Sequence, residues 1–160
     1  MDVTEKCEWL CYILLSTDGR RTYVGATNNL LRRVNDHNGM NGASRGAKAT
    51  KGRQWYPVLF VDGFQNKNAC LSFETGVRRI ARRRKGIQYS VPMSQSPMKR
   101  RVLCVHNLLY AGARNGKWSR EGLRLNWLER EWCNPLLTLP SGVEEITDLH
   151  KMKVEPSSKK

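Results

Sequence analysis

Five residues of this chain are the best suited to chemistry: Tyr12, Tyr23, Arg33, His37 and Glu74. Arg33 and His37 stand four apart, so on a helix they share one face. A guanidinium fork matches the non-bridging oxygens of a phosphate. A phenol or an imidazole can move a proton, and a carboxylate can hold a hard divalent cation. Two tyrosines, an arginine and a histidine could therefore converge on one phosphate. A free phenol titrates near ~10, so either tyrosine needs Arg33, His37 or a metal beside it to take a proton from water. The sequence leaves open which tyrosine does so, and whether His37 relays the proton or positions a neighbour.

The elements that must position these groups are legible. From Leu10 to Leu15 apolar residues fill both alternating sets, as in a strand buried on both faces. Asp18-Gly19 signals a tight hairpin, and Thr22-Tyr23-Val24 returns as a second strand. Gly25 closes it and permits another backbone to approach. Asn28 or Asn29 can cap the next helix and Gly39 can stop it. Leu30, Leu31 and Val34 form its apolar face, with Arg33 at the edge of the buried stripe. Trp55 to Phe64 reads as a third strand with Pro57 near its start or on an edge. Asn66 or Asn68 then caps a helix reaching about Arg84, with Cys70, Phe73, Val77, Ile80 and Ala81 as its stripe. Glu74 falls inside that stripe, where a carboxylate is costly unless paired, protonated or bound to metal. One reading is an ion pair, with Arg33 as a candidate partner, and the other is a divalent-metal ligand. Further on, Met98 to Gly112 reads as a helix with His106 on its polar face. Leu123, Leu125 and Trp127 suggest a short strand. Trp118, Trp127 and Trp132 read as packing residues, although Trp118, near Lys117 and Arg120, could stack on a base.

Charge indicates the partner. The 160 residues carry 28 Lys plus Arg against 14 Asp plus Glu, a net charge of +14. That balance favours a polyanion, above all nucleic acid, over a membrane surface. No apolar run approaches the roughly 20 residues of a spanning helix, and no signal-peptide pattern opens the chain. A nuclear location is expected, or a cytoplasmic one in a virus or prokaryote, and not secretion. Five cysteines, an odd number without a CxxC pair, argue against a disulfide framework or a zinc finger. The cations cluster in two segments. Arg45, Lys48, Lys51 and Arg53 lie in a glycine-rich stretch with no acid between Asp36 and Asp62. Arg78, Arg79, Arg82, Arg83, Arg84 and Lys85 follow, with no acid from Glu74 to Glu121. Both segments are expected to lie along phosphate backbones, and a nuclear-import signal could overlap the second.

Tyr12-Ile13-Leu14 and Tyr23-Val24-Gly25, with Arg33 ten residues after Tyr23 and His37 one turn later, resemble the motifs of the GIY-YIG endonucleases. Cys11 stands where the first triplet has glycine, and Val24 where the second has isoleucine. The resemblance implies catalytic roles for Tyr12, Tyr23, Arg33, His37 and Glu74, with Glu74 binding Mg²⁺ or Mn²⁺. It also implies an α+β fold, a small mixed or antiparallel sheet of about three strands flanked by helices. The basic loop before Trp55, the Leu-Ser-Phe-Glu around Glu74 and the tryptophan-rich segment after the third helix are similar to the catalytic subunit of the Slx structure-specific endonucleases. That likeness covers roughly Trp9 to Leu136. It implies cleavage of branched duplex DNA such as flaps, splayed arms and four-way junctions, in repair, recombination or viral genome processing. A restriction- or homing-type nuclease and a non-catalytic nucleic-acid-binding module are the alternatives. The Slx subunits continue into a zinc-binding RING-type domain that docks a scaffold partner. No Cys/His cluster here matches it, which leaves a scaffold partner without its docking module and suggests a minimal nuclease of a sort that a large DNA virus could encode. The expected organisation is one nuclease domain with a helical extension over residues 1–140 and a loose tail over 141–160.

Overall fold

The chain alternates two-faced strands with one-faced helices, and that pattern builds a single sheet with helices on both sides. The structure is a computed structural model that describes residues 7–42, 45–80 and 89–147. Arg82, Arg83, Arg84 and Lys85, the expected helix end near Arg84, and most of the expected tail lie outside the described residues.

Strand β1 (Leu10–Ser16) forms a hairpin with β2 (Thr22–Thr27) through a turn in which Gly19 takes φ 74°, a value glycine adopts at no steric cost. Helix α1 (Leu30–His37) follows, with the Asn29 side chain accepting from the Arg32 amide at its N-terminus. Strand β3 (Trp55–Asp62) leads to helix α2 (Lys67–Ile80), and helix α3 (Pro97–Ala111) starts at a Ser96 cap. Strands β4 (Arg124–Trp127) and β5 (Glu144–Ile146) complete a five-stranded sheet of order β2-β1-β3-β4-β5. The β1–β2, β1–β3 and β3–β4 pairs are antiparallel, and β4–β5 is parallel.

The first three strands and their helices match the expected α+β unit. The sheet then extends further than expected. Residues 144–146 fall in the stretch read as a loose tail, yet they pair with β4 because Trp127 Nε1 donates to Glu145 at 3.1 Å and the Glu144 amide bonds Leu123.

The period of two along β1 divides its side chains between two cores. Cys11, Ile13 and Leu15 pack with Phe73, Val77, Val102 and Val105 from α2 and α3. Tyr12 and Leu14 face the other way, with Val34 of α1, Trp55 and Phe60. Each fully buried apolar side chain such as Phe73 is worth about 1.5–3 kcal/mol over exposure. His106, expected on a polar face, is buried instead, because the segment near Thr138 covers that side of α3 and its Nδ1 lies 3.3 Å from the Thr138 carbonyl. Trp118 is also buried, edge-on against Phe73, so it packs in the core and offers no face for stacking on a base. The five cysteines are unpaired, and Cys11, Cys70 and Cys104 are core residues.

Candidate active site

Tyr12 enters the smaller core because it alternates with the residues of the larger one, and Tyr23 lies beside it on β2. Their ring centroids are 6.3 Å apart, and His37 stands 5.8 Å from Tyr12 and 4.8 Å from Tyr23. His37 is the last residue of α1, and that end of the helix is bolted to β3. Asn38 Nδ2 donates to the Trp55 carbonyl at 2.9 Å, and the Trp55 backbone amide donates to Asn38 Oδ1 at 2.7 Å.

A buried hydrogen-bond chain fixes the state of His37. Thr50, fully buried in a short 3₁₀ turn (Lys48–Thr50), donates its only hydroxyl proton to the Ala47 carbonyl at 2.8 Å. Its oxygen, 2.9 Å from His37 Nδ1, can then only accept. Nδ1 carries the ring proton, and Nε2 accepts from the Tyr12 hydroxyl at 2.7 Å. Burial, helped by the Arg33 charge, lowers the His37 pKa to about 4, so the ring is neutral at pH 7. Burial also pushes the Tyr12 phenol well above its ordinary value, with Tyr23 adding to the effect and Arg33 opposing it. Tyr12 is 1% exposed, whereas Tyr23 is half-buried.

Gly25 makes this packing possible. A Cβ there would collide with the Tyr12 hydroxyl, so the close approach it permits is that of a side chain, where a backbone was expected.

Arg33 lies at the rim. Its Nη1 donates to the Arg45 carbonyl at 2.8 Å and stands 3.5 Å from Asp36. Glu74 comes from α2, on the other side of the sheet, and its ion-pair partner is Arg78 at 2.7 Å, with Arg33 held elsewhere. Positions four apart on one helix meet directly, which explains the choice. Arg78 also donates to the Val24 carbonyl of the edge strand and lies 5.7 Å from the Tyr23 ring centre. Thus β2, at the sheet edge, is where the α1 side and the α2 side of the site meet. Burial raises the Glu74 pKa, against the pull of Arg78.

The candidate metal ligand is a single carboxylate. Among the described residues no group of three or more His, Cys, Asp or Glu side chains converges. Arg78 engages Glu74 Oε1, and Oε2 has no ion-pair or hydrogen-bond partner among the described residues. Mg²⁺ keeps most of its waters and needs only one or two carboxylates, so this donor set fits a hydrated divalent ion.

The expected phosphate-facing cations divide. Arg45, Lys48 and Lys51 are exposed, with no acidic partner among the described residues. Arg53 is tied to Asp18 at 3.3 Å, Arg78 serves Glu74, and Arg79 faces a cleft between α2 and α3. Thr50 had no signal in the sequence, since a threonine among lysines and glycines reads as exposed loop.

The family model described as the GIY-YIG catalytic domain matches residues 8–87. The uncharacterized protein L300 of Acanthamoeba polyphaga mimivirus is 54% identical over 76 residues, 48% of this chain and 46% of that protein. The structure-specific endonuclease subunit slx1 of Aspergillus terreus is 44% identical over 68 residues, 41% of this chain and 17% of that protein. Its counterpart in Xenopus laevis is 34% identical over 137 residues, 81% of this chain and 46% of that protein. The matched stretch thus spans less than half of each of these relatives.

Proposed function

The chain belongs to the GIY-YIG family, and from that premise we propose that it is a metal-dependent endonuclease that hydrolyses phosphodiester bonds in branched DNA. One observation carries the reading. Tyr12, Tyr23 and His37 form one contiguous cluster, with Arg33 at its rim and Glu74 across the edge strand.

The roles follow from exposure and partners. Tyr23 is the tyrosine that water reaches, so it takes the proton from the attacking water. Arg78 lies 5.7 Å from its ring centre, and the Arg33 guanidinium is close enough to interact with it electrostatically. Arg33, at the rim, grips the non-bridging oxygens of the phosphate. Beneath them Tyr12, His37 and Thr50 form a neutral, fully directed chain that holds the Tyr12 and His37 rings under Tyr23. Glu74 would hold a divalent ion, which supplies polarisation of the phosphate and stabilisation of the leaving 3′ oxygen. Branch preference is supported by the named activity of the Aspergillus and Xenopus relatives and by cations on more than one side of the site.

The test is one incubation of matched flap, four-way junction, linear duplex and single strand with Mg²⁺. Branched substrates are expected to be cut at least about tenfold faster than linear duplex, equivalent to about 1.4 kcal/mol in transition-state binding. Equal rates with cuts at a fixed base sequence would establish a restriction-like enzyme instead.

A further inference from the structure

Helix α2 has a second working face. Glu74 and Arg78 serve the active-site side, while Leu71, Thr75 and Arg79, at intervals of four, line a cleft of about 1080 Å³. Its far wall is the end of α3 and the segment 112–118, which contributes Arg114, Asn115 and Lys117. The segment is firmly held. Arg120 Nη1 donates to the Leu109 and Tyr110 carbonyls at 3.2 and 2.9 Å, and Trp118 is buried beneath. Asn115 Oδ1 accepts from the Lys117 amide at 3.1 Å.

The chemistry of the cleft is one-sided. Arg79, Arg114 and Lys117 are exposed, and among the described residues none has an acidic partner and no carboxylate lines the cleft. Three unneutralised cations around one concavity attract a chain of phosphates. The floor is partly apolar, from Leu71, Ile80 and Leu108. A duplex presents phosphates and keeps its bases stacked inside, so it gains nothing from an apolar floor. A single strand offers both a charged backbone and free base faces.

We propose that this cleft binds a single-stranded nucleic-acid segment, the unpaired arm of a branched substrate whose junction lies at the active site. This rests on the nuclease reading for the identity of the arm. The cut site and the displaced strand would then lie on adjoining faces of α2. Glu74 and Thr75, like Arg78 and Arg79, are consecutive residues about 100° apart around the helix, so neighbouring nucleotides at a branch point can reach both faces.

The experiment uses the full chain in EDTA, so that binding is read without cleavage. Fluorescence anisotropy would follow a short labelled oligothymidylate and a blunt duplex across a salt series. In the double variant Arg114→Ala, Lys117→Ala, the log–log salt slope on the single strand should flatten by about 1.4, two contacts at about 0.7 each. The slope on blunt duplex should stay unchanged. Asn115→Asp retains the oxygen that accepts from Lys117 and adds a negative charge to the wall, so it should also weaken oligothymidylate binding. An unchanged single-strand slope in the double variant, or an equal loss on blunt duplex, would overturn the assignment. If the wild type cuts no DNA with Mg²⁺ yet shows this selective loss, the cleft stands as a single-strand site and the nuclease reading falls.

Discussion

Thr50→Val removes one hydroxyl from a fully buried site and keeps the shape of the side chain. The Ala47 carbonyl still accepts from the Thr50 amide at 3.0 Å, so its loss is small. His37 Nδ1–H loses the one acceptor it has among the described residues, and a buried unsatisfied donor costs about 1–3 kcal/mol. The ring can recover part of that by moving its proton to Nε2. That tautomer faces the Tyr12 hydroxyl with a donor, so the 2.7 Å bond must reverse or break. Both consequences are measurable. Urea unfolding should show a loss of about 1–3 kcal/mol with an unchanged m-value. Nitrogen NMR of labelled histidine should show His37 as the Nδ1–H tautomer in the wild type and a changed population in the variant. Turnover should fall by about tenfold or more with little change in KM, because Arg33, the residue proposed to grip the phosphate, is untouched. Thr50→Ser, which restores the hydroxyl, should restore the tautomer and most of the rate. A wild-type tautomer and rate in Thr50→Val would refute the directed chain from Thr50 through His37 to Tyr12.

Other outcomes follow from the same geometry. Tyr23→Phe should lower the single-turnover rate by about 10²–10⁴-fold, the range for general-base catalysis, with stability measured by urea unfolding nearly unchanged. Tyr12→Phe leaves His37 Nε2 buried without a donor, so it should cost about 1–3 kcal/mol of stability and less rate than Tyr23→Phe. Gly25→Ala drives a methyl into a hydroxyl that burial and His37 hold in place, and should cost about 1–3 kcal/mol in urea unfolding together with activity. The pH dependence of stability has a definite sign. His37 has a lower pKa folded than unfolded, so its contribution is complete above pH 6.5 and is lost as pH falls towards 4. The loss is on the order of 3 kcal/mol, checked by urea titrations from pH 7 to 4, and His37→Gln should remove most of that slope.

The alternation in β1 and the Asp18-Gly19 turn made the hairpin legible, and the spacing of Arg33 and His37 placed them together on α1. What escaped was whatever depends on contacts between distant segments. Thr50 is buried only because its 3₁₀ turn folds under α1, and nothing local marks that. Arg53 and Arg78 read as free cations because their partners Asp18 and Glu74 had not been placed against them. For Arg78 the spacing of four from Glu74 was available, and only the expectation of a DNA-facing patch obscured it. His106 looked polar because the chain near Thr138 that covers it lies 32 residues away in sequence. Strand β5 was missed because three residues rich in glutamate carry no strand pattern. Its order comes from pairing with β4 and from the Trp127–Glu145 bond.

The central claim is that this cluster cleaves phosphodiesters with a divalent ion held by Glu74. The most direct test is the single-turnover rate of Glu74→Gln on a flap substrate with Mg²⁺, beside its DNA affinity in EDTA. Glutamine keeps the size of the side chain and removes the charge. Cleavage should be abolished in the variant, and absent from the wild type in EDTA, while affinity changes by no more than about twofold. Mg²⁺-dependent cleavage by Glu74→Gln at the wild-type rate would contradict the claim.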